Sequence, residues 1–108
     1  MQLRVKGKNL EVSDTMREHT ERKLSKLERM LDPLTEIEVE LAVEKNPAIA
    51  ANQVAEATVW MKGHTLRARE AAPDMKAAVD AMTDTLLRQV ADERKKRDAK
   101  RRAPAPAE

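Results

Sequence analysis

Four basic residues between positions 22 and 29 have the types and spacing of a phosphate-binding surface. The residues around them recur at helical spacing, and the buried stripe of the predicted helix consists of Met16, Thr20, Leu24, Leu27 and Leu31. At about 100° per residue, the acidic side chains fall in a different sector from the basic ones. The basic sector, here called the basic flank, contains Arg22, Lys23, Lys26 and Arg29. Pairing of charges within a helix would mix the two signs. Their separation therefore favours phosphate binding over an ordinary solvated face.

Three further cations could extend this positive surface onto a second helix: Arg88, Lys95 and Lys96. Asp84 and Asp92 lie on the same side as Arg88, so a solvated face of mixed charge explains this helix equally well. The run RKKRDAKRR at 94–102 holds seven basic residues and one acidic residue, whereas residues 1–93 hold 14 basic and 17 acidic ones. The net charge of +2 therefore comes from the C-terminal segment. Nucleic-acid binding by the rest must depend on how its charges are arranged.

The residue combinations that enzymes use are missing from the sequence. His19 and His64 fall in different predicted elements, without a carboxylate at metal-ligand spacing. We expect His19 to be a partly buried helix residue and His64 to be a turn residue. The carboxylates at positions 36, 38 and 40 point to solvent, where nothing prepares them for acid–base work. The chain has two glycines and no cysteine, which excludes a glycine-rich phosphate loop and a thiolate metal site. We predict no enzymatic activity, no metal and no cofactor.

The elements that must position the basic residues are four strands and two helices in the order β-α-β-β-β-α. Alternation of apolar and polar residues predicts strands around 3–5, 36–43, 54–62 and 65–69. The first helix should be capped by Ser13 or Asp14, run for four to five turns and end at Asp32-Pro33. The second should begin at Pro73, and its apolar stripe is Met75, Val79, Met82, Leu86 and Val90.

This order predicts an α+β fold, a four-stranded mixed sheet with two helices packed on one face. The first helix is a crossover, so the strands on either side of it should be parallel, and the remaining strands should form hairpins. We expect one domain at 1–96, and then at 97–108 a basic, then Ala/Pro-rich tail that is disordered. No signal peptide or membrane-spanning run is present in the sequence, so we expect a soluble cytoplasmic protein.

The open face of the predicted sheet does not have the aromatic residues that stack on RNA bases. Its outward positions are Glu36, Glu38, Glu40 and Glu56, with Arg4, Lys6, Arg67 and Arg69 as cross-strand partners. Trp60 is the only aromatic residue, and no platform of basic and aromatic residues surrounds it. We interpret it as a cover for neighbouring aliphatic side-chain stems or for part of a loop, rather than as a surface on which a base stacks. The helical side or an edge of the sheet is the better candidate for RNA contact.

Two segments of the sequence carry a resemblance to a known family. They are REHTERKLSKLE at 17–28, in the first helix, and DM-x-AA-x-D at 74–80, at the start of the second. Their order, spacing and β-α-β-β-β-α surroundings resemble the ribosome hibernation-promoting factor family, also called the ribosome-associated inhibitor or sigma 54 modulation family. The likeness runs from Met1 to about Lys96.

The resemblance implies a bacterial factor made under starvation or in stationary phase. Such proteins bind the small ribosomal subunit between head and body, over the mRNA and tRNA anticodon sites, and they hold the 70S ribosome inactive, often in ribosome dimers. The implied partners are 16S rRNA and neighbouring ribosomal proteins, and we expect the free protein to be a monomer. The family contacts rRNA through basic residues of both helices. The matching positions here are Lys23, Lys26, Arg29 and Arg88, with Lys95 and Lys96 near the end of the second helix.

The sequence departs from the family pattern in the second helix. Lys76 stands where relatives carry a tyrosine, and Thr85 and Asp92 stand where some relatives carry lysine. These differences weaken the expected contribution of the second helix. The length implies a short form without the C-terminal dimerisation domain of long members. The start of the sequence is more similar to the relatives that promote ribosome pairing, but the basic tail leaves open whether this protein promotes or opposes it.

Two other functions fit the same sequence features. A general double-stranded RNA-binding module could use two helices on one face of a sheet for shape recognition. A protein-interaction adaptor could use the acidic sheet face, and it would bind its partner in a salt-tolerant way without associating with ribosomes.

Overall fold

The computed structural model describes residues 1–46 and 48–102, with backbone alone at 100–102. The elements are β1 (Gln2–Lys8), α1 (Asp14–Leu24), a 3-10 helix (Ser25–Arg29), β2 (Glu36–Val43), β3 (Gln53–Met61), β4 (His64–Ala72) and α2 (Met75–Arg102). This is the predicted order. β1 and β4 are longer than their alternation suggested, because pairing with the neighbouring strand continues through residues that break the pattern.

The four strands form one sheet in the order β1-β2-β3-β4. β1 and β2 are parallel, with Val5 opposite Val39, and the other two pairs are antiparallel. The crossover through α1 explains the parallel pair, since a direct hairpin can join only antiparallel strands. The predicted mixed sheet is confirmed.

The core lies between one face of the sheet and both helices. Alternate strand residues point into it, and the helices add one stripe each. The largest fully buried apolar side chains are Leu24, Leu27, Ile37, Val39, Leu41, Val59, Val79, Met82, Leu86 and Val90. Thr20 is also fully buried, and its hydroxyl donates to the carbonyl oxygen of Met16 at 2.9 Å. That bond removes most of the cost of burying a hydroxyl in the stripe.

The first helix begins as expected and ends differently. The hydroxyl of Ser13 accepts a hydrogen bond from the backbone N–H of Met16 at 3.1 Å, so Ser13 is the N-cap. The α-helix stops after 11 residues at Leu24, and the chain continues as a 3-10 helix to Arg29. The prediction of one α-helix of four to five turns was therefore wrong for its second half, where the winding is tighter.

The second helix is longer than the core beneath it. Asp74 caps its start, since its carboxylate accepts from the N–H of Ala77 at 2.8 Å, and Pro73 lies just outside rather than at the first helical position. The helix has 28 residues, which corresponds to roughly 42 Å. Its last fully buried residue is Val90. Residues 97–102, predicted as part of a disordered tail, are helical, and 103–108 lie outside the described residues.

Side chains from the two helices protect the two edge strands. An Arg17 guanidinium nitrogen donates to the carbonyl oxygen of Val5 in β1 at 2.8 Å. The Gln89 amide donates to the carbonyl oxygen of Arg67 in β4 at 2.8 Å. Each bond occupies an acceptor on a strand that has a neighbour on one side only, which discourages pairing with another chain.

Candidate nucleic-acid interface

The tighter winding after Leu24 changes the geometry of the basic flank. In a 3-10 helix the side chains at positions i and i+3 lie almost directly above one another. Lys23 is the last residue but one of α1, and Lys26 and Arg29 follow at intervals of three within the 3-10 helix. These three residues are here called the basic row. The 3-10 winding aligns Lys26 with Arg29, Lys23 precedes them at the junction of the two helices, and Arg22 lies beside them. The uniform α-helical wheel had spread them over a wider sector.

Most of the basic flank is exposed to solvent. Arg22, Lys26 and Arg29 are exposed, and none of them forms an ion pair with another residue of the described chain. Lys23 differs, because 37% of its side chain is exposed and its ammonium group lies 3.6 Å from Oδ1 of Asp80 in α2. The structure therefore provides three available cations and one that is shared with a carboxylate.

Asp80 connects the basic row to the second helix. Its Oδ1 also lies 2.7 Å from Nε2 of His19, whose side chain is only 12% exposed. The contact fixes the middle of α1 against the early part of α2. It was missed in the sequence, because nothing in a linear pattern indicates which turns of two separate helices meet. His19 is partly buried in a helix, as expected.

The basic residues of α2 divide between two directions. Arg88 is exposed and donates to the hydroxyl of Thr85 at 3.3 Å, and that hydroxyl in turn donates to Glu70 of β4 at 2.9 Å. Lys95 is seven residues, or about two turns, beyond Arg88, so both point away from the sheet. Lys96 is rotated by about 100° from Lys95, toward the flank that faces β4. The structure thus places Arg88 and Lys95 on the same side of the molecule as the basic row and turns Lys96 aside.

The open sheet face is partly neutralised by its own cations. Lys6 lies 2.9 Å from Glu38 and 3.5 Å from Glu40, and Arg4 lies 3.5 Å from Glu38. The hydrogen bond from Lys6 lowers the pKa of the Glu38 carboxyl, and the same bond raises the pKa of Lys6. The expected partnership of Arg4 and Lys6 with these glutamates is confirmed. Arg69 lies opposite Glu56 in the register, without an ion pair between them among the described residues.

Trp60 is not isolated from basic residues. It is 39% exposed, and it lines a cavity together with Lys62, Arg94 and Arg97. Two of these cations come from the end of α2, which strand alternation cannot place, so the sequence did not reveal them as neighbours of Trp60. His64 also differs from its expected turn position, since it is the first residue of β4 and its Nε2 lies 3.1 Å from Glu93.

Neither a metal cluster nor a membrane-spanning helix is found within the described ranges. No group of three or more histidine, aspartate or glutamate side chains there could hold a metal ion. None of the helices at 1–46 and 48–102 is long and apolar enough to cross a membrane.

Comparison with known proteins finds a matching family and several similar proteins. The family described as "Sigma 54 modulation protein / S30EA ribosomal protein" matches residues 3–98. A ribosome hibernation promoting factor of Azotobacter vinelandii is 34% identical over 108 residues, which cover 100% of this chain and 96% of that protein. One from Escherichia coli K12 is 34% identical over 90 residues, covering 83% and 90% respectively.

Two solved structures share the fold. The N-terminal domain of Thermus thermophilus Protein Y superposes with a TM-score of 0.69 at 33% identity, covering 83% of this chain and 96% of that one. A Coxiella burnetii structure described as a ribosomal subunit interface protein has a TM-score of 0.72 at 23% identity, covering 87% and 98%.

Proposed function

The chain belongs to the family of sigma 54 modulation proteins and S30EA ribosomal proteins, and we propose from this membership that it is a ribosome hibernation factor. It binds the small ribosomal subunit at the channel that mRNA and tRNA occupy, inhibits translation and stabilises inactive ribosomes. Relatives named ribosome hibernation promoting factor that match nearly the whole chain support this function.

The observation that carries the binding surface is the basic row. Successive members are separated by three residues, or about 5–6 Å along the axis. That step is comparable with the distance between neighbouring phosphates of one RNA strand. Lys26 and Arg29 are exposed and form no ion pair with another described residue, so they can approach phosphates without first losing a partner. The row therefore contacts consecutive phosphates of 16S rRNA.

The helical side as a whole forms the interface, with the two helices contributing unequally. Arg22 lies beside the row, and Arg88 and Lys95 face outward from α2. Lys96 faces the flank near β4 and contributes at the periphery. Asp80 reduces the contribution of Lys23, because binding of a phosphate by Lys23 competes with this carboxylate.

Cosedimentation with purified small subunits tests this assignment. Replacing Lys23, Lys26 and Arg29 with Glu should abolish binding, because attraction becomes repulsion at three points. A matched control replaces Lys45, Arg67 and Arg69 with Glu; these cations are exposed, and the net charge changes by the same amount. The control should bind nearly as well as the unchanged protein. Circular dichroism confirms that each variant is folded, and unchanged cosedimentation of the first variant would overturn the assignment.

Two further measurements separate this function from its rivals. A gel-shift comparison of naked duplex RNA with intact small subunits distinguishes ribosome recognition from general double-stranded RNA binding. A sucrose-gradient profile of ribosomes with and without the protein reports association and pairing together. Salt-tolerant binding to another protein, without ribosome association, would support the adaptor instead.

A further inference from the structure

A cavity of about 590 Å³ opens at the end of the sheet where β3 ends and α2 leaves the core. Its apolar wall is formed by Met30, Leu34, Trp60 and Met61. Two of these side chains are unusually available, since Leu34 is 84% exposed and Trp60 39%. The volume lies in the range of pockets that hold small organic groups.

The loop that forms one side of this cavity is fixed by hydrogen bonds. The N–H of Leu34 donates to the Asp32 carboxylate at 2.8 Å, and the N–H of Thr35 donates to the Asp32 carbonyl oxygen at 2.9 Å. The N–H of Gln2 in β1 donates to the carbonyl oxygen of Thr35 at 2.8 Å. This side of the cavity is therefore formed before any ligand arrives.

The charges around the cavity favour an anion. Lys62, Arg94 and Arg97 line it, and none of them pairs with a carboxylate in the part of the chain that the structure describes. The two acidic lining residues already have partners: Asp32 accepts from Leu34, and Glu93 lies 3.1 Å from His64. The cations thus remain available next to an exposed indole ring.

We propose that this cavity binds an unpaired nucleobase of ribosomal RNA, with the base against Trp60 and its flanking phosphates on Arg94 and Arg97. The inference rests on the proposed function and adds a second RNA contact, at the end of the sheet rather than on the outward side of the two helices. An aromatic face beside a basic groove is the combination with which proteins bind single-stranded RNA. An apolar protein side chain would fill the same wall, but it would leave three cations without partners.

The tryptophan provides a direct probe. It is the only tryptophan in a chain without tyrosine or phenylalanine, so the emission of the free protein reports on this cavity alone. Short single-stranded oligoadenylate should quench this emission, and an abasic oligomer with the same number of phosphates should not. Equal quenching by both oligomers, or no quenching by either, would overturn the proposal.

Two variants separate this contact from the basic row. Trp60→Leu keeps an apolar side chain and should weaken subunit binding about 5- to 150-fold, the loss typical of one stacked base. Replacing Arg94 and Arg97 with Ala should weaken it as well and abolish quenching by oligoadenylate. If Trp60→Leu binds with unchanged affinity while the basic-row variant fails to bind, the cavity inference is wrong and the proposed function stands. If the basic-row variant also binds normally, both are wrong.

Discussion

Removal of Lys26 and Arg29 should change the salt dependence of ribosome binding by a predictable amount. Both side chains are exposed and form no ion pair among the described residues, so replacing them with Ala removes phosphate contacts without breaking internal ones. Each phosphate contact contributes about 0.7–0.9 to the slope of log affinity against log salt. The slope of the double variant should therefore be shallower by about 1.4–1.8.

The same numbers give the loss of affinity at one salt concentration. If the counterion contribution vanishes near 1 M salt, a slope difference of that size weakens binding about 15- to 30-fold at roughly 0.15 M. Labelled protein is titrated with purified small subunits across a series of potassium chloride concentrations at fixed Mg²⁺. The matched control replaces Arg67 and Arg69 with Ala, two exposed cations that point outward on the open face of the sheet.

The two double variants lose the same charge, so they distinguish local contact from overall attraction. The control should retain the slope of the unchanged protein. Equal slopes for both variants would refute the reasoning, because the protein would then respond only to its net charge. A parallel loss of affinity without a change of slope would mean that the two side chains do not contact phosphates.

Three further outcomes are expected from single substitutions. Asp80→Asn should tighten subunit binding by up to about fivefold in the same titration, because Lys23 loses its competing carboxylate; weaker binding would contradict this. Lys6→Met should raise the pKa of Glu38 toward its ordinary value in a carboxyl NMR titration, since the hydrogen bond from Lys6 lowers it. The small stability gained from that bond is present above the ordinary pKa of a glutamate and lost as pH falls through the lowered value. Leu24→Ala should cost about 2–5 kcal/mol in the free energy of unfolding, measured with denaturant, because it opens a cavity at a fully buried site; a cost below about 1 kcal/mol would show that the helices repack there.

Sequence periodicity was sufficient for the sheet. Alternation of apolar residues, as at Ile37, Val39 and Leu41, identifies a half-buried strand whatever its neighbours are. The crossover rule then places β1 parallel to β2, which the structure confirms. These features depend on local patterns and on chain connectivity, and both are visible in one sequence.

Features that depend on contacts between distant elements could not be obtained in this way. The change to 3-10 winding at Ser25 does not interrupt the apolar spacing, since Leu24 and Leu27 are three residues apart in either case. The contact of Asp80 with His19 joins two residues that are 61 positions apart in the sequence. The basic surroundings of Trp60 arise because α2 passes the end of β3, a relation that has no local signature. The sequence grouped the residues of the basic row in one sector of a helix, and only the structure shows how the 3-10 winding aligns Lys26 with Arg29.

The continuity of α2 has a consequence for how its basic end is ordered. Starting a helix is the unfavourable step, and the turns beyond Val90 extend one that the core has already nucleated. Those turns can therefore be helical although they bury little beyond the side chain of Glu93. Each turn added or removed beyond Arg97, which still lines the cavity, would change how far the basic end of α2 extends by about 5.4 Å and leave the core unchanged. Evolution can thus tune the length of this end independently of whether the protein folds.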